Sequence, residues 1–194
     1  MAAPPPMTAT LCRAIERLPA SGAALFENGQ DFCLGMAWFR NMVANGLPSG
    51  SQAFFEVLMR GGEAVAVLPL QQGATGELHS LTNCYTCLYR PLIATEGAGD
   101  IAHRLGRAAG SLFSRQPLVR IECLPADWPA LDAFVDGLGT AGLAIRRFDH
   151  FGNWHEPIRG RGWEDYLAAR PGHLRELLRR RGRHKRHGDL RFEI

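Results

Sequence analysis

The feature that most constrains the fold is a pair of apolar segments, residues 53–60 (AFFEVLMR) and 64–72 (AVAVLPLQQ), joined by Gly61-Gly62-Glu63. Two such runs separated by a glycine turn predict a β-hairpin. Both runs are almost continuously apolar, and strands of that kind lie in sheets covered on both faces. Pro69 has no N–H for the strand ladder, so we expect a bulge or a splayed position there. The hairpin therefore predicts a sheet with helices packed over it.

The rest of the chain alternates between helical and extended patterns. Helical spacing of apolar residues predicts helices over residues 8–18, 31–45, 100–114 and 127–141. Extended patterns predict strands over residues 77–83, 117–124, 143–148 and 152–158, with extended chain over 88–95. The order helix, helix, three-strand meander, helix, strand, helix, strand, strand predicts an α/β (α+β) fold, a mixed central sheet flanked by helices.

Composition excludes several classes of protein. With 46% hydrophobic and 21% charged residues, the 194-residue chain can form a packed domain and is not disordered throughout. Its longest apolar stretch, residues 64–70, is about a third of what a membrane-spanning helix needs. The first seven residues, with three consecutive prolines, lack the basic and apolar regions of a secretory signal and predict a disordered lead-in. We expect a cytoplasmic protein without a membrane span.

The five cysteines are an odd number without framework spacing. That argues against a secreted, disulfide-stabilised domain, and we expect them to be reduced and mostly buried. Cys84 and Cys87 have the spacing of half a zinc site, and His79 precedes them. Structural zinc needs four ligands, and no second pair stands near in sequence. We expect no metal and interpret the pair as small apolar side chains.

Charge is distributed unevenly along the chain. Residues 1–158 carry a net charge of −3, whereas residues 159–194 carry +6, almost all of it as arginine. A helix predicted after Pro171 has a narrow leucine stripe, with a basic face opposite. We interpret residues 159–188 as a connector helix whose arginines contact a partner domain or an acidic ligand. The candidates for that contact are Arg179, Arg180 and Arg183.

Several short segments of the sequence resemble one branch of the GNAT superfamily of N-acetyltransferases. They are Val67-Leu-Pro-Leu70, the segment 81–92 (LTNCYTCLYRPL), Gly152-Asn-Trp154, and Trp163-Glu-Asp-Tyr-Leu167 leading to the arginine-rich residues 174–186. The element order is that of a GNAT domain without its first strand. From residue 26 onward the chain resembles the tandem-GNAT acyltransferases typified by the CelD-type proteins of cellulose biosynthesis, distant relatives of the FemABX peptidyltransferases.

The resemblance implies a function for the protein to which the chain belongs. That protein would transfer an acetyl or other acyl group from acyl-CoA to a small-molecule amine. Residues 8–158 would be its N-terminal GNAT-like domain, and residues 189–194 would begin the first strand of a second domain that binds acyl-CoA. This chain alone would be inactive and bind no acyl-CoA, serving as scaffold and as one wall of the substrate cleft. No catalytic residue can be assigned from the sequence.

Two groups of residues are candidates for binding sites. Polar-tipped aromatic residues outside the predicted core faces (Tyr85, Tyr89, Trp154 and His155) are suited to a cleft or to edge packing. We select Asn83, Tyr85 and Trp154 as candidate cleft residues.

A GNAT phosphate loop presents backbone N–H groups and a helix N-terminus to the CoA pyrophosphate, in the pattern Gln/Arg-x-x-Gly-x-Gly/Ala. The nearest match, residues 103–108 (HRLGRA), lies inside a predicted helix. Gly97 and Gly99, ahead of that helix, are better placed, although any strand-to-helix turn favours glycine.

Two other functions stay open. Residues 175–186 would suit a basic module that binds nucleic acid through phosphates, although no stacking aromatic is interleaved with the arginines and we rank this function below the connector. A standalone single-domain acetyltransferase would need the last residues to fold back into the sheet as its missing strand.

Overall fold

The computed structural model of the chain describes residues 5–27, 31–149, 152 and 160–184. The chain divides into two compact units, Met1–Phe151 and Gly152–Ile194. Among the described residues, no helix is both long and apolar enough to cross a membrane.

In the described part of the first unit, six strands form one mixed sheet. They are β1 (Met7–Cys12), β2 (Gln52–Arg60), β3 (Glu63–Gln72), β4 (Leu78–Ser80), β5 (Leu92–Ile93) and β6 (Val119–Arg120). The order across the sheet is β1-β2-β3-β4-β6, and β5 also pairs with β3. The pairings are antiparallel except that of β4 with β6, which is parallel. The predicted α/β (α+β) class with a mixed central sheet is confirmed.

Helices flank this sheet. They are α1 (Ala20–Ala24), α2 (Met36–Asn41), α3 (Ala98–Phe113) and α4 (Leu131–Thr140). Helix α3 contacts β1, β3 and β5 and packs along α4, whereas α1 contacts β3. The spacing of Ile101, Leu105 and Ala109 puts all three in the core, each fully buried. Strands β2 and β3 are buried along most of their length, which explains why helices cover the sheet.

The predicted hairpin of β2 and β3 is confirmed. Its register runs from Gln52 opposite Gln72 to Arg60 opposite Glu63, with a shift between Leu58 and Met59. Pro69 pairs with Phe55 of β2. On its other edge β3 changes partner, since β5 pairs with residues 66–67 and β4 with residues 70–72. Pro69 thus lies where the two partners separate, which is the expected splayed position.

The predicted helix over residues 8–18 is wrong. Met7–Cys12 forms the antiparallel strand β1, paired with residues 55–60 of β2. Its sequence, MTATLC, alternates threonine with other residues in the period of a strand. Leu11, Ile15 and Leu18 have helical spacing in the sequence, but they belong to different elements. Leu11 lies in β1, whereas Ile15 is buried in a short 3-10 turn and Leu18 is buried directly after it. Pairing with an apolar neighbour strand outweighs the weak helix propensity.

Other predicted elements are shorter than expected or are not formed. Strand β4 is three residues long and β6 two, and both are shorter than predicted. Beyond them the backbone forms hydrogen bonds with side chains instead of with a neighbouring strand. The N–H of Glu122, for example, donates to Ser80 Oγ. The α-helical part of 31–45 begins at Met36 after a 3-10 turn. Residues 143–149 form no strand, since no described strand pairs with them. The segments 153–158 and 189–194 lie outside the described residues.

The described part of the second unit holds two helices, α5 (Trp163–Ala168) and α6 (Gly172–His184), at the positions predicted for them. The rings of Trp163 and Tyr166 stack with centroids 5.9 Å apart. The guanidinium of Arg170 lies over the Tyr166 ring, 4.5 Å from its centroid. These contacts fix the end of α5, and Pro171 separates it from α6.

Candidate functional site

The carboxyl ends of the parallel strands β4 and β6 lie side by side at one edge of the sheet. In open α/β sheets, ligands bind where neighbouring parallel strands end and their connections leave the sheet. Strands β4 and β6 pair through only two residue pairs, Leu78 with Val119 and His79 with Arg120. Beyond them, the hydroxyl of Ser80 takes the place of a backbone partner and accepts the N–H of Glu122 at 3.0 Å.

Segment 83–89 packs against the chain that follows β6, with contacts from Thr86 and Tyr89 to Cys123. Tyr89 is fully buried. Its N–H donates to the carbonyl of Cys123 at 2.9 Å, and its hydroxyl donates to the carbonyl of Pro69. Burial raises the pKa of Tyr89 well above its ordinary value, so the hydroxyl stays a donor. The sequence-based placement of Tyr89 outside the core is therefore wrong: its ring fills the gap beside the splayed Pro69.

A buried amide holds the bend after β4. Gln71 Nε2 donates to the carbonyls of Ser80 and Thr82, at 3.0 and 2.9 Å. The hydroxyls of Ser80 and Thr82 lie 3.1 Å apart. Gln71 Oε1 is buried without a hydrogen-bond partner in the described residues. The bend is thus built on side chains, which explains why β4 stops early.

Asn83 and Tyr85, two of the candidate cleft residues, lie in one turn at the edge of this region. Asn83 Oδ1 accepts the N–H of Tyr85 at 2.9 Å and the hydroxyl of Thr86 at 3.3 Å. The side chain of Asn83 therefore builds the turn, as asparagine commonly does. Tyr85 is 76% exposed. The structure brings these two together, and Trp154 lies outside the described residues.

Gly97 lies directly ahead of α3, as predicted, whereas Gly99 is the second residue of the helix. Gly97 caps the helix with φ of 72°, a conformation that favours glycine. Asp100 lies in the first turn and binds Arg104 with Nε 2.9 Å from both carboxylate oxygens. A carboxylate at this position already uses the favourable field of the helix end and repels a phosphate. The arrangement is poorly suited to a pyrophosphate.

Gly106, the glycine of the HRLGRA match, has a packing role. A Cβ at Gly106 would lie 2.1 Å from the carbonyl oxygen of Phe134 in α4. A Cβ at Gly137 of α4 would lie 2.0 Å from the carbonyl oxygen of His103 in α3. The two glycines allow the helix backbones to touch. The match is therefore explained by the crossing of α3 and α4.

The arginine candidates of the second unit lie on α6. Arg179 and Arg180 are exposed, and Arg183 belongs to the same helix. Leu177, from the leucine stripe, is 41% exposed. Helix α6 thus exposes both arginines of its basic face and part of its apolar stripe to solvent.

Sequence analysis missed Glu56, in the middle of β2. It pairs with Leu11 of β1 and Leu68 of β3 and is only 5% exposed. Its Oε2 has no hydrogen-bond partner in the described residues. Burial raises its pKa from 4.5 to about 7, so the group can gain or lose a proton near neutral pH. The one signal in the sequence was a single acid inside an apolar run.

The cysteines are all free, but they are less buried than predicted. Cys84 and Cys87 are exposed, and Cys12, Cys33 and Cys123 are half-buried. The prediction of mostly buried thiols is wrong, because Cys84 lies in the exposed turn 83–86 and Cys87 lies at the surface directly after it. Within the part of the chain that the structure describes, no three His, Cys, Asp or Glu side chains are grouped to hold a metal ion.

Comparison of the chain with protein-family models, with curated proteins and with solved structures gave no match.

Proposed function

We propose that the first unit is a non-catalytic, GNAT-like domain of an acyl-CoA-dependent N-acyltransferase that acetylates a small-molecule amine. The observation that carries the proposal is β1. The element order in the sequence resembled a GNAT domain without its first strand, and Met7–Cys12 provides a strand ahead of the two helical segments. The order then runs strand, helix, helix, antiparallel meander, the short strand β5, helix, parallel strand, helix.

Two features of the candidate site support a non-catalytic role. Segment 83–89 packs against the chain that follows β6 and is held there by Tyr89. At the start of α3, Asp100 stands where a pyrophosphate would need a positive field. A domain whose own chain packs at this edge would act as scaffold. Its contribution to the substrate cleft would come from the surface around Asn83 and Tyr85.

The partner in this proposal is a second GNAT domain of the same protein, which would bind acetyl-CoA or another acyl-CoA. Helix α6 would connect the two domains. Its exposed arginines would contact that domain or an acidic ligand, and the exposed Leu177 would pack against protein.

The test compares this chain with the full product of its open reading frame. Calorimetry with acetyl-CoA and a thiol-release assay with a panel of amines are run on both. We expect binding and CoA release from the longer protein and neither from residues 1–194. Tight binding of acetyl-CoA to residues 1–194 would contradict the non-catalytic role. A longer protein that does not bind acyl-CoA would contradict the acyltransferase assignment, and a reading frame that ends at Ile194 would contradict the second domain.

The second candidate is nucleic-acid binding through α6, favoured by three consecutive exposed arginines, Arg179 to Arg181. Such binding would weaken steeply with added salt, since each phosphate contact releases a counterion. Arg179→Ala with Arg180→Ala should flatten the slope of affinity against salt. Absence of binding to single- or double-stranded DNA and RNA at low salt would exclude this function.

A further inference from the structure

Cys123, three residues beyond β6, has a backbone conformation that its residue type disfavours. Its φ is 61°, the one positive φ at a non-glycine residue in the described part of the chain. This left-handed region is usually taken by glycine or asparagine. Its carbonyl accepts the N–H of Tyr89 at 2.9 Å. The same conformation directs its thiol to the carbonyl of Thr86, with Sγ 3.3 Å from that oxygen.

Cys87 follows Thr86 directly, so the thiol of Cys123 points at the peptide group that leads to Cys87. Cys87 is exposed, whereas Cys123 is half-buried. Burial raises the pKa of the Cys123 thiol, and the charges of Glu122, Cys87 and Cys33 raise it further, so Cys33 is a second neighbouring thiol. The Cys123 thiol thus lies beside the peptide group of residues 86–87, whereas the Cys87 thiol lies 3.8 Å from the carbonyl oxygen of Tyr85, so a bond between the two thiols requires a rotation of the Cys87 side chain.

We propose that Cys87 and Cys123 are an oxidisable dithiol, converted to a disulfide by a soluble low-molecular-weight disulfide such as oxidised glutathione. The proposal stands independently of any acyltransferase function, because it depends only on these two side chains and the segment that joins them.

The reaction has two exchange steps. The thiolate of Cys87 attacks one sulfur of oxidised glutathione, which forms a mixed disulfide and releases one glutathione thiolate. The thiolate of Cys123 then attacks the Cys87 sulfur, which forms the protein disulfide and releases the second glutathione. The two protein thiols lose two electrons and two protons, and one glutathione disulfide becomes two thiols.

The order of the steps follows from accessibility and acidity. Cys87 meets the solvent and can reach a bulky oxidant. Burial raises the pKa of the Cys123 thiol, and the Glu122 carboxylate and the neighbouring thiols raise it further. A sheltered thiol of raised pKa is a poor first nucleophile, but it resolves a mixed disulfide that forms beside it. The bond would fasten segment 83–89 to the chain beyond β6.

The test equilibrates residues 1–194 with defined ratios of reduced and oxidised glutathione, then blocks free thiols and maps the linked peptides by mass spectrometry. We expect two of the five thiols to be lost and one linked peptide pair, Cys87 with Cys123. Cys12→Ser is the matched control, since Cys12 lies in β1 and donates to the carbonyl of Ala14. Both Cys12→Ser and Cys84→Ser should keep the bond, and Cys87→Ser should lose it.

Three results would overturn the proposal. The first is a Cys84–Cys87 or a Cys33–Cys123 link in the unchanged chain. The second is loss of the bond in Cys84→Ser, and the third is five free thiols, or mixed disulfides alone, under oxidising ratios. Peptide mapping of the unchanged chain shows by itself which cysteines are linked. The proposal can therefore be tested even if one of the variants fails to fold.

Discussion

At the scale of single residues, Glu56 is in an environment that opposes its charge. The pKa of its carboxyl rises from 4.5 to about 7 because the group is buried among apolar side chains. The folded state then binds a proton that the unfolded state has released, so stability is greatest below pH 4.5 and is lost as the pH rises through 7. The linked loss is about 3 kcal/mol by pH 8.

Glu56→Gln should remove this pH dependence, because an amide does not ionise. We expect urea unfolding at pH 5 and pH 8 to show a smaller loss of stability in the variant than in the unchanged protein. Glu63→Gln, at the exposed first position of β3, is the control and should show the same pH dependence as the unchanged protein. Equal pH dependence in all three proteins would show that Glu56 is not protonated in the fold.

Tyr89 joins segment 83–89 to the sheet through one buried hydroxyl. Tyr89→Phe keeps the ring and removes the hydrogen bond to the carbonyl of Pro69. That carbonyl also accepts the N–H of Leu81 at 3.1 Å, so it does not become unsatisfied. We expect a loss of about 1 kcal/mol. Tyr85→Phe is the control, because it removes the hydroxyl of an exposed ring. This variant should unfold at the same urea concentration as the unchanged protein. An equal loss of stability in both variants would contradict the role given to Tyr89.

At the scale of elements, the crossing of α3 and α4 depends on glycines that let the backbones touch. Gly106→Ala and Gly137→Ala each place a methyl group about 2 Å from a carbonyl oxygen of the other helix. To relieve the clash, the helix backbones would have to move apart, which disrupts their packing. We expect each to cost at least 1–3 kcal/mol, as overpacking does. Gly139→Ala, in the same helix α4 with nothing within 4 Å of the new Cβ, should be neutral or stabilising by up to about 1 kcal/mol.

Thermal unfolding of the three variants distinguishes helix contact from helix propensity. If all three alanines stabilised the protein alike, propensity alone would govern them and the close crossing would be wrong. If Gly139→Ala were as harmful as Gly106→Ala, the destabilisation would not come from the contact between α3 and α4.

The sequence predicted those elements whose signal is local. The hairpin of β2 and β3 carries its own glycine turn, and α3 carries a full apolar stripe, so both were located to within two residues. Strand β1 could not be recognised, because MTATLC becomes a strand only through pairing with β2. Strands β4 and β6 were overestimated because Gln71 and Ser80 end the ladder with side-chain hydrogen bonds that no periodicity shows.

The candidate site was predictable only in part for the same reason. Asn83 and Tyr85 lie in one turn because they are near neighbours in sequence, and their place in a cleft stays a prediction. The contact of Cys123 with segment 83–89 and the burial of Glu56 depend on residues brought together by the sheet. Pairings across such distances leave no trace in one sequence.

At the scale of the whole molecule, the division after Phe151 separates two units of different charge and composition. The first holds the sheet, the core residues and the pairs α3–α4 and β2–β3, so its stability should not depend on the second. We expect a chain of residues 1–151 to unfold cooperatively at nearly the same temperature as residues 1–194, by circular dichroism. A molten or aggregated product would contradict the independence of the first unit.

The same truncation tests where the basic charge acts. Residues 159–194 carry the net positive charge, and the rest of the chain is acidic overall. Residues 1–194 should therefore be retained on a heparin column at low salt, because Arg179, Arg180 and Arg181 of α6 are exposed. Residues 1–151 should pass through. Arg179→Ala with Arg180→Ala in the longer chain should elute earlier. Retention of residues 1–151 would place the polyanion-binding surface in the first unit, and the role given to α6 in binding an acidic partner would then be wrong.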